Sequence, residues 1–339
     1  MNWLPSLPCA KSREVSILIP AYEAEHFIDR TLLFARGQTH QACRILVSVD
    51  KCGDATAHRA HLHSAEDRRV KVIEQRVRQG WAGNVNALLE RVETPYFCLY
   101  MHDDIIVPQY VEFLLALLEA NPHAASAHCD MAHFGGSDHT SAARAYAGPT
   151  ASRLACFLLA PQRGSPLRSL VRTSKAGDLR LPTDAQGGFW ANEPFLLKLM
   201  AAGAALALPN SLYLRWQLRP GGLTDGWRGM DPQQGFECLR RNIATEIRTI
   251  RAALQTRPER QTAIAALYLF HLPRLLGVEK QAGCPLFKQP QDLHPAFARL
   301  KCTDWGLPGL PAETRDWVAS RLQVINNDPR SLIPVGLSA

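Results

Sequence analysis

The chain has 339 residues, of which 46% are hydrophobic and 20% are charged, as in an ordinary soluble globular protein. Its 38 basic and 31 acidic residues leave a formal charge of +7, which suits an anionic partner without identifying one. The nine cysteines contain no CxxC pair, which favours reduced thiols in the cytosol over a disulfide framework or a zinc site. No apolar run approaches the roughly 20 residues of a membrane-spanning helix, and residues 1–16 have the pattern of neither a secretory signal nor an anchor.

The first part of the chain alternates short apolar runs with segments of helical periodicity. Apolar faces at helical spacing predict helices around Ile28–Ala35, Val85–Val92 and Val111–Leu118. This alternation, with short connections, favours an α/β fold with a parallel sheet covered by helices on both faces. The predicted strands are Val15–Ile19, Arg44–Asp50, Val70–Glu74, a run that begins at Tyr96, and Ala124–Cys129.

The rest of the chain is less regular. Residues 131–183 are rich in Gly, Ser, Ala and Arg, so we predict mostly loop there. A helix is predicted over Ala191–Ala202, followed by two apolar segments at Ala204–Leu208 and Leu212–Trp216. Beyond Gly222 the chain is predicted to be mostly helical. One helical stripe there consists of Leu239, Ile243, Ile247, Ile250 and Leu254.

Two adjacent aspartates, Asp103 and Asp104, follow the apolar run that begins at Tyr96. At the carboxyl end of a parallel strand they would lie where open α/β sheets bind ligands. Neighbouring carboxylates repel each other, and a divalent cation that also holds a substrate phosphate would neutralise them. The alternative is that the pair only begins the next helix, because Asp is a frequent N-cap and Pro108 suits a first turn. These residues alone leave both interpretations open.

Two further groups of residues are candidates for binding roles. The histidines His61, His63, His128 and His133 fit no standard metal-ligand spacing, so we expect ordinary surface or second-sphere histidines. The segment from Arg144 to Arg180 has an excess of basic residues, which is either a solvated face or a contact with phosphates or a membrane surface.

Four segments lie in order at the predicted strand ends: VSILIPAYEAEHFI, VSVDKCGDAT, GWAGNVNALL and MHDDIIVP. In this order they resemble segments of the inverting glycosyltransferases of family 2, which have the GT-A fold and include many bacterial polysaccharide transferases. Each segment would be weak evidence alone, but the ordered series is more specific. A looser match covers GGFWANEPFLLKLMAAG and PNSLYLRWQL.

The resemblance implies roles for individual residues. Asp50 would contact the nucleotide base, and Asp104 with Asp103 would hold a Mg or Mn ion and the donor's diphosphate. Met101 stands where many members have another aspartate. The residues implied to bind the nucleotide-diphosphate sugar are Pro20, Ala21, Tyr22, Glu23, Asp50, Gly80, Asn86, His102 and Asp103.

The catalytic base of the family is the second acid of a pair that opens a helix. Here the pair reads Asn192-Glu193, so the resemblance makes Glu193 the candidate base. A carboxylate at a helix amino terminus is favoured in its charged form. The alternative is a simple helix cap beside Pro194.

The resemblance divides the chain and implies its activity. We expect a GT-A domain over residues 1–224, with a nucleotide-sugar half at 14–130 and an acceptor half at 131–224, and a helical region over 225–339. The implied reaction is the metal-assisted transfer, with inversion, of one sugar from a nucleotide-diphosphate donor, most simply a UDP-sugar, to an acceptor hydroxyl in bacterial surface polysaccharide or glycoconjugate synthesis. We expect a glycan or lipid-linked acceptor, no nucleic acid, and a cytoplasmic location with peripheral contact at the inner membrane.

Two alternatives remain. The first is a catalytically inactive nucleotide-sugar-binding partner in a glycan-assembly complex, which Met101 and Asn192 favour. The second is a nucleotidyltransferase, although no Gly-rich loop with a basic residue opens the first helix.

Overall fold

The computed structural model describes residues 13–136, 138–159, 165–183, 188, 190–217, 229–287 and 290–299. The residues up to 12, Gly222 and the predicted boundary at 224 and 225 lie outside that set. The chain divides into two compact units. The first unit comprises residues 1–145, 164–181 and 202–219, and the second comprises residues 146–163, 182–201 and 220–339.

The first unit is built on one sheet. In order across the sheet the strands are β3-β2-β1-β4-β8-β6-β9-β5, and β7 pairs with β6. The strands are β1 (Val15–Ala21), β2 (Cys43–Val49), β3 (Val70–Glu74), β4 (Tyr96–Leu99), β5 (Ile105–Ile106), β6 (Ala124–Phe134), β7 (His139–Ser141), β8 (Leu170–Arg172) and β9 (Ala204–Trp216).

The parallel part of the sheet agrees with the prediction. Strands β3, β2, β1 and β4 are parallel neighbours. Every residue of β1 is buried, as expected for a strand in the interior of a sheet that is covered on both faces. The other part is mixed, because β8 lies antiparallel between β4 and β6, and β5 lies antiparallel to β9.

The helices of both units are numbered together along the chain. The predicted apolar faces of α1 and α4 are buried. Helix α2 was not predicted because its inward residues are Thr56, Ala60 and His63, which form no apolar stripe. The helices are α1 (Ile28–Arg36), α2 (Thr56–Glu66), α3 (Gly80–Leu89), α4 (Tyr110–Glu119), α5 (Thr150–Leu159), α6 (Thr173–Ala176), α7 (Asn192–Ala202), α8 (Pro232–Ala253), α9 (Arg257–Ala282) and α10 (Pro290–Leu293).

The prediction of mostly loop over residues 131–183 is wrong. The segment contains the end of β6, then β7, α5, β8 and α6. Helix α5 buries Leu154, Phe157 and Leu158, which have helical spacing but stand among small and basic residues that hid the pattern. The two apolar segments predicted after α7 are one strand, β9, which continues through Pro209.

The helical carboxyl-terminal region is confirmed over the described residues of the second unit. The predicted stripe on α8 is buried. Helix α9 contains the apolar run Ala263–Leu272, which predicts a packed helix, and extends well beyond it at both ends. Glu246 of α8 and His271 of α9 join the two helices through a 2.6 Å contact, with both side chains buried. Among the described residues, no helix combines the length and apolarity needed to cross a bilayer.

Candidate functional site

Three of the predicted site segments meet at the carboxyl ends of β1, β2 and β4. The backbone N–H of Asp50 donates to the carbonyl oxygen of Ala21 at 2.8 Å. The Nδ1 atom of His102 lies 3.0 Å from the carbonyl oxygen of Pro20. The segments after these three parallel strands are therefore joined at the edge where open α/β sheets bind ligands.

Asp50 is buried in this edge and is fully hydrogen-bonded. Its Oδ1 accepts from the backbone N–H groups of Lys51 (3.0 Å) and Gln79 (2.7 Å). Its Oδ2 accepts from the backbone N–H of Gly80 (2.9 Å) and from Nε of Arg78 (3.0 Å). The carboxylate thus fixes the loop at the start of α3, where Gly80 has the left-handed φ of 69° that glycine adopts without strain. Direct contact of Asp50 with a base stays a prediction.

An aromatic surface lies beside Asp50. The guanidinium carbon of Arg78 is 3.3 Å from the ring centroid of Tyr22, and the Arg78 side chain is 50% exposed. A hydrogen bond with Glu23 raises the pKa of the Tyr22 phenol. The Tyr22 ring is therefore covered in part by a half-exposed side chain.

Two asparagines of α3 have structural contacts. The amide of Asn86 donates to the carbonyl oxygen of Leu181 at 2.8 Å and accepts from its N–H at 2.9 Å. The side chain of Asn84, which the sequence did not single out, donates to the carbonyl oxygens of Ala21 and Ser48. Asn86 therefore holds the chain segment at Leu181, and its predicted role in donor binding remains untested.

Asp104, the predicted chief metal ligand, is enclosed by protein. Its Oδ1 accepts from the backbone N–H of Trp216 at 2.9 Å, and its Oδ2 accepts from the Tyr213 hydroxyl at 2.9 Å and from Nη2 of Arg168 at 3.3 Å. Only 2% of Asp104 is exposed, and burial raises the pKa of its carboxyl while Arg168 opposes that shift. These surroundings favour a structural anchor for Asp104 over the predicted metal role.

Asp103 lies in a different environment from its neighbour. It is half-buried, and its carbonyl oxygen accepts a hydrogen bond from Nη2 of Arg30 at 2.9 Å. The hydroxyl of Thr31 donates to the carbonyl oxygen of His102 at 2.6 Å. Helix α1 thus fixes the backbone of the acidic loop while the Asp103 side chain stays partly open to solvent.

Two arginines that were not predicted as site residues surround the acidic pair. Burial works against the charge of Arg168, but the nearby Asp104 carboxylate raises its pKa. The pKa of Arg215 is lowered, chiefly by the positive charge of Arg168 and then by burial. Two neighbouring guanidinium groups in a partly desolvated position favour an anionic ligand, which would relieve their repulsion.

Trp216 belongs to an aromatic cluster beside Asp104. Its ring centroid is 5.3 Å from that of Phe27 and 5.8 Å from that of Phe134, and the guanidinium of Arg30 lies 5.4 Å from it. Gly135 has a φ of 81°, and a Cβ atom there would overlap the Trp216 indole nitrogen. The packing of this aromatic cluster therefore depends on glycine at position 135.

The described residues offer few protein ligands for a metal ion. Within the described ranges, no group of three or more His, Cys, Asp or Glu side chains could hold an ion. Mg²⁺ is commonly bound by one or two carboxylates together with substrate phosphates, and the partly exposed Asp103 fits that pattern. His61 contacts Glu74 and His63 contacts Asp29, in line with ordinary roles for these histidines.

Glu193 is the predicted site residue that lies in the second unit. It occupies the first turn of α7, as predicted, and is only 4% exposed. Its Oε1 accepts from Nη2 of Arg274 at 3.1 Å, and the Asn192 amide lies 3.5 Å away. Trp190, three residues before Glu193, has a φ of 51°, an uncommon conformation for a bulky side chain.

The sequence is similar to a known protein family and to curated proteins over part of its length. A model described as "Glycosyl transferase family 2" matches residues 16–179. An uncharacterized glycosyltransferase of Haemophilus influenzae is 31% identical over 109 residues, which are 32% of this chain and 34% of that protein. The UDP-Glc:alpha-D-GlcNAc-diphosphoundecaprenol beta-1,3-glucosyltransferase WfgD of Escherichia coli is 28% identical over 107 residues, or 32% of this chain and 42% of the relative. The matches thus span less than half of these curated relatives.

Solved structures share the fold over a larger part of the chain. Staphylococcus aureus TarS residues 1–349 in complex with UDP-GlcNAc superpose with a TM-score of 0.65 and 16% identity, over 93% of this chain and 89% of TarS. The mannosyltransferase PcManGT of Pyrobaculum calidifontis, in complex with GDP-Man and Mn²⁺, gives a TM-score of 0.53 and 14% identity, over 94% and 81% of the two chains. At these identities the likeness concerns the fold.

Proposed function

We propose that this chain, which belongs to glycosyl transferase family 2 over residues 16–179 and adopts the GT-A fold, transfers a sugar with inversion from a nucleotide-diphosphate donor to an acceptor hydroxyl. The observation that carries the proposal is the hydrogen-bonded edge that joins the segments at Pro20, Asp50 and His102. Donor-binding chemistry needs an aromatic surface, fixed carboxylates and cations in one place, and this edge supplies all three.

The donor is a UDP-sugar in this proposal. The names of WfgD and of the TarS complex contain UDP-linked sugars. The base stacks on Tyr22 after Arg78 moves aside, since the Arg78 side chain is half exposed. Asp50 acts by holding the loop at Gly80, whose backbone borders the base.

The diphosphate lies between Asp103, Arg168 and Arg215. The two guanidinium groups stabilise the negative charge that develops on the leaving group. A Mg or Mn ion, held by Asp103 and the diphosphate, would supply further positive charge there. Asp104 stabilises this arrangement, because it fixes Arg168, Tyr213 and the backbone of Trp216.

Glu193 is the general base of the proposed reaction. It accepts the proton of the acceptor hydroxyl as that oxygen attacks the anomeric carbon, and the bond to the diphosphate breaks with its electron pair on the leaving group. A single displacement of this kind inverts the anomeric centre.

The acceptor in this proposal is a glycan on a membrane lipid diphosphate, in bacterial surface polysaccharide synthesis at the cytoplasmic face of the inner membrane. The name of the relative WfgD contains an acceptor of this class. We assign the peripheral membrane contact to four arginines of α8, which fall within about 100° of the helix circumference, beside the buried stripe. Three of them lie near His294, where burial and the charges of the arginines lower the pKa of the imidazole. The four are Arg240, Arg241, Arg248 and Arg251.

The stereochemistry of the product tests the proposed reaction. The protein is incubated with α-linked UDP-sugars, Mn²⁺ and a short-chain prenyl diphosphate that carries GlcNAc, and the product is examined by proton NMR. The expected product has a new β linkage. An α linkage would contradict the inverting mechanism, and tight donor binding without transfer would favour the inactive binding partner that Met101 suggests.

A further inference from the structure

The long helix α9 supplies the partner of Glu193. Arg274 of α9 donates to Glu193 Oε1 at 3.1 Å, and the two side chains are 26% and 5% exposed. An ionised carboxylate that is removed from water without a partner is strongly disfavoured. The contact with Arg274 therefore lets a buried side chain carry the negative charge that a general base needs.

The Arg274 guanidinium is itself held by two aromatic rings. It lies 4.0 Å from the ring centroid of Phe270, one turn earlier on α9, and 5.3 Å from that of Trp190, three residues before Glu193. Cations over aromatic faces are attracted by the ring quadrupole. Phe270 and Trp190 thus limit the positions that the guanidinium can take beside the carboxylate.

The position of α9 is fixed within the second unit. His271, three residues before Arg274, makes the buried 2.6 Å contact with Glu246 of α8. At its start α9 has a capping box in which Thr256 and Glu259 bond each other's backbone N–H groups. The helix also packs against α5. Arg274 is consequently presented by a helix that is anchored along its length.

We propose that Arg274 is a positioning residue for Glu193, which it holds by Oε1. This inference rests on the proposed function and gives the helical carboxyl-terminal region a role in the reaction. In that role Arg274 gives up no proton. The proton of the acceptor hydroxyl passes to Glu193 while the acceptor oxygen bonds to the anomeric carbon and the diphosphate departs.

Loss of the contact would free the Glu193 carboxylate to leave the position from which it accepts the proton. The variant should therefore be slowed in the transfer step, for which the base must be oriented, and not in donor binding. The donor does not contact Arg274 in this proposal, so its KM should hold while kcat falls. A Lys at position 274 keeps the positive charge without the planar guanidinium, so it should recover part of the lost kcat.

The experiment compares Arg274→Met, Arg274→Lys and the matched control Arg257→Met, which changes an exposed arginine in the first turn of the same helix. We expect Arg274→Met to lower kcat by roughly 10-fold to 100-fold near pH 7, with an unchanged donor KM. The kcat of Arg274→Lys should lie between those of Arg274→Met and the wild type, and the kcat of Arg257→Met should match that of the wild type. An unchanged kcat in Arg274→Met, or a loss that appears in the donor KM, would overturn the inference.

A second measurement does not depend on turnover. The thermal unfolding midpoints of Glu193→Gln, Arg274→Met and the double variant form a double-mutant cycle. We expect the unfolding midpoint of the double variant to fall by less than the sum of the two single-variant decreases, because either change removes the same contact. Additive decreases in the midpoint would overturn the inference, even in a protein with no detectable transferase activity. Non-additive decreases in a protein that turns over no donor would contradict the proposed function but not the contact between Arg274 and Glu193.

Discussion

Asp103 and Asp104 are adjacent in sequence but differ in what surrounds them. Asp104 is enclosed by Arg168, Tyr213 and Trp216, whereas Asp103 stays partly exposed. The sequence could place both at a strand end, because the apolar run and the acidic pair are local signals. It could not predict which of the two is enclosed, because the partners of Asp104 are 64 to 112 residues away along the chain.

Replacing each aspartate by asparagine separates these roles. Asp104→Asn leaves the buried Arg168 guanidinium without its counter-charge, and loss of one partner of a buried ion pair typically costs about 3–5 kcal/mol of unfolding free energy. Asp103→Asn should change the unfolding free energy by less than about 0.5 kcal/mol while it weakens the dependence of turnover on Mn²⁺. Urea unfolding of both variants measures the first effect. Equal destabilisation by the two changes would be inconsistent with the assigned roles.

The other site residues show the same limit of sequence reasoning. Asp50 and Gly80 were singled out, and the structure joins them directly by a hydrogen bond. Asn86 was also singled out, but its amide pairs with the backbone of Leu181, 95 residues away. Arg168 lies in the basic segment for which a phosphate contact was one interpretation, but neither it nor Arg215 was assigned to the site, because no local pattern reveals a distant carboxylate.

At the scale of elements, periodicity predicted the helices and strands that bury an apolar face. The predicted faces of α1 and α4 and the strand β3 agree with the structure. The elements that were missed, α2, α5 and β8, either lack an apolar stripe or lie within a segment of small and basic residues. The antiparallel position of β8 between β4 and β6 follows from tertiary pairing, which no local pattern encodes.

The arginine face of α8 leads to a prediction for the membrane contact. Reversing two exposed charges, in the double variant Arg248→Glu and Arg251→Glu, should reduce flotation with phosphatidylglycerol vesicles by at least about 10-fold, because each basic residue near an anionic surface contributes about 1 kcal/mol. A matched control reverses Arg68 and Lys71, which are exposed in the first unit. Binding to neutral phosphatidylcholine vesicles should be weak for all the proteins. Equal flotation of both variants with the anionic vesicles would rule out this face as the contact.

At the scale of the whole molecule, the segments that we propose to bind the donor lie in the first unit, and Glu193 and Arg274 lie in the second. The segments at 146–163 and 182–201 group with the carboxyl-terminal helices. The predicted boundary at 224 and 225 stays a prediction. The sequence left the carboxyl-terminal helices without a role, because Arg274 carries no motif and its contact with Glu193 spans 81 residues.

Release of nucleoside diphosphate from UDP-sugars tests the central claim most directly. With Mn²⁺ and a GlcNAc-diphosphate-prenol acceptor, the wild-type protein should release UDP at a rate that depends on the acceptor. Asp103→Ala and Glu193→Gln should each reduce that rate by at least about 100-fold, and Arg257→Met should leave it unchanged. Equal background release by the wild type and both site variants, over a full panel of donors, would contradict a glycosyltransferase that uses these residues.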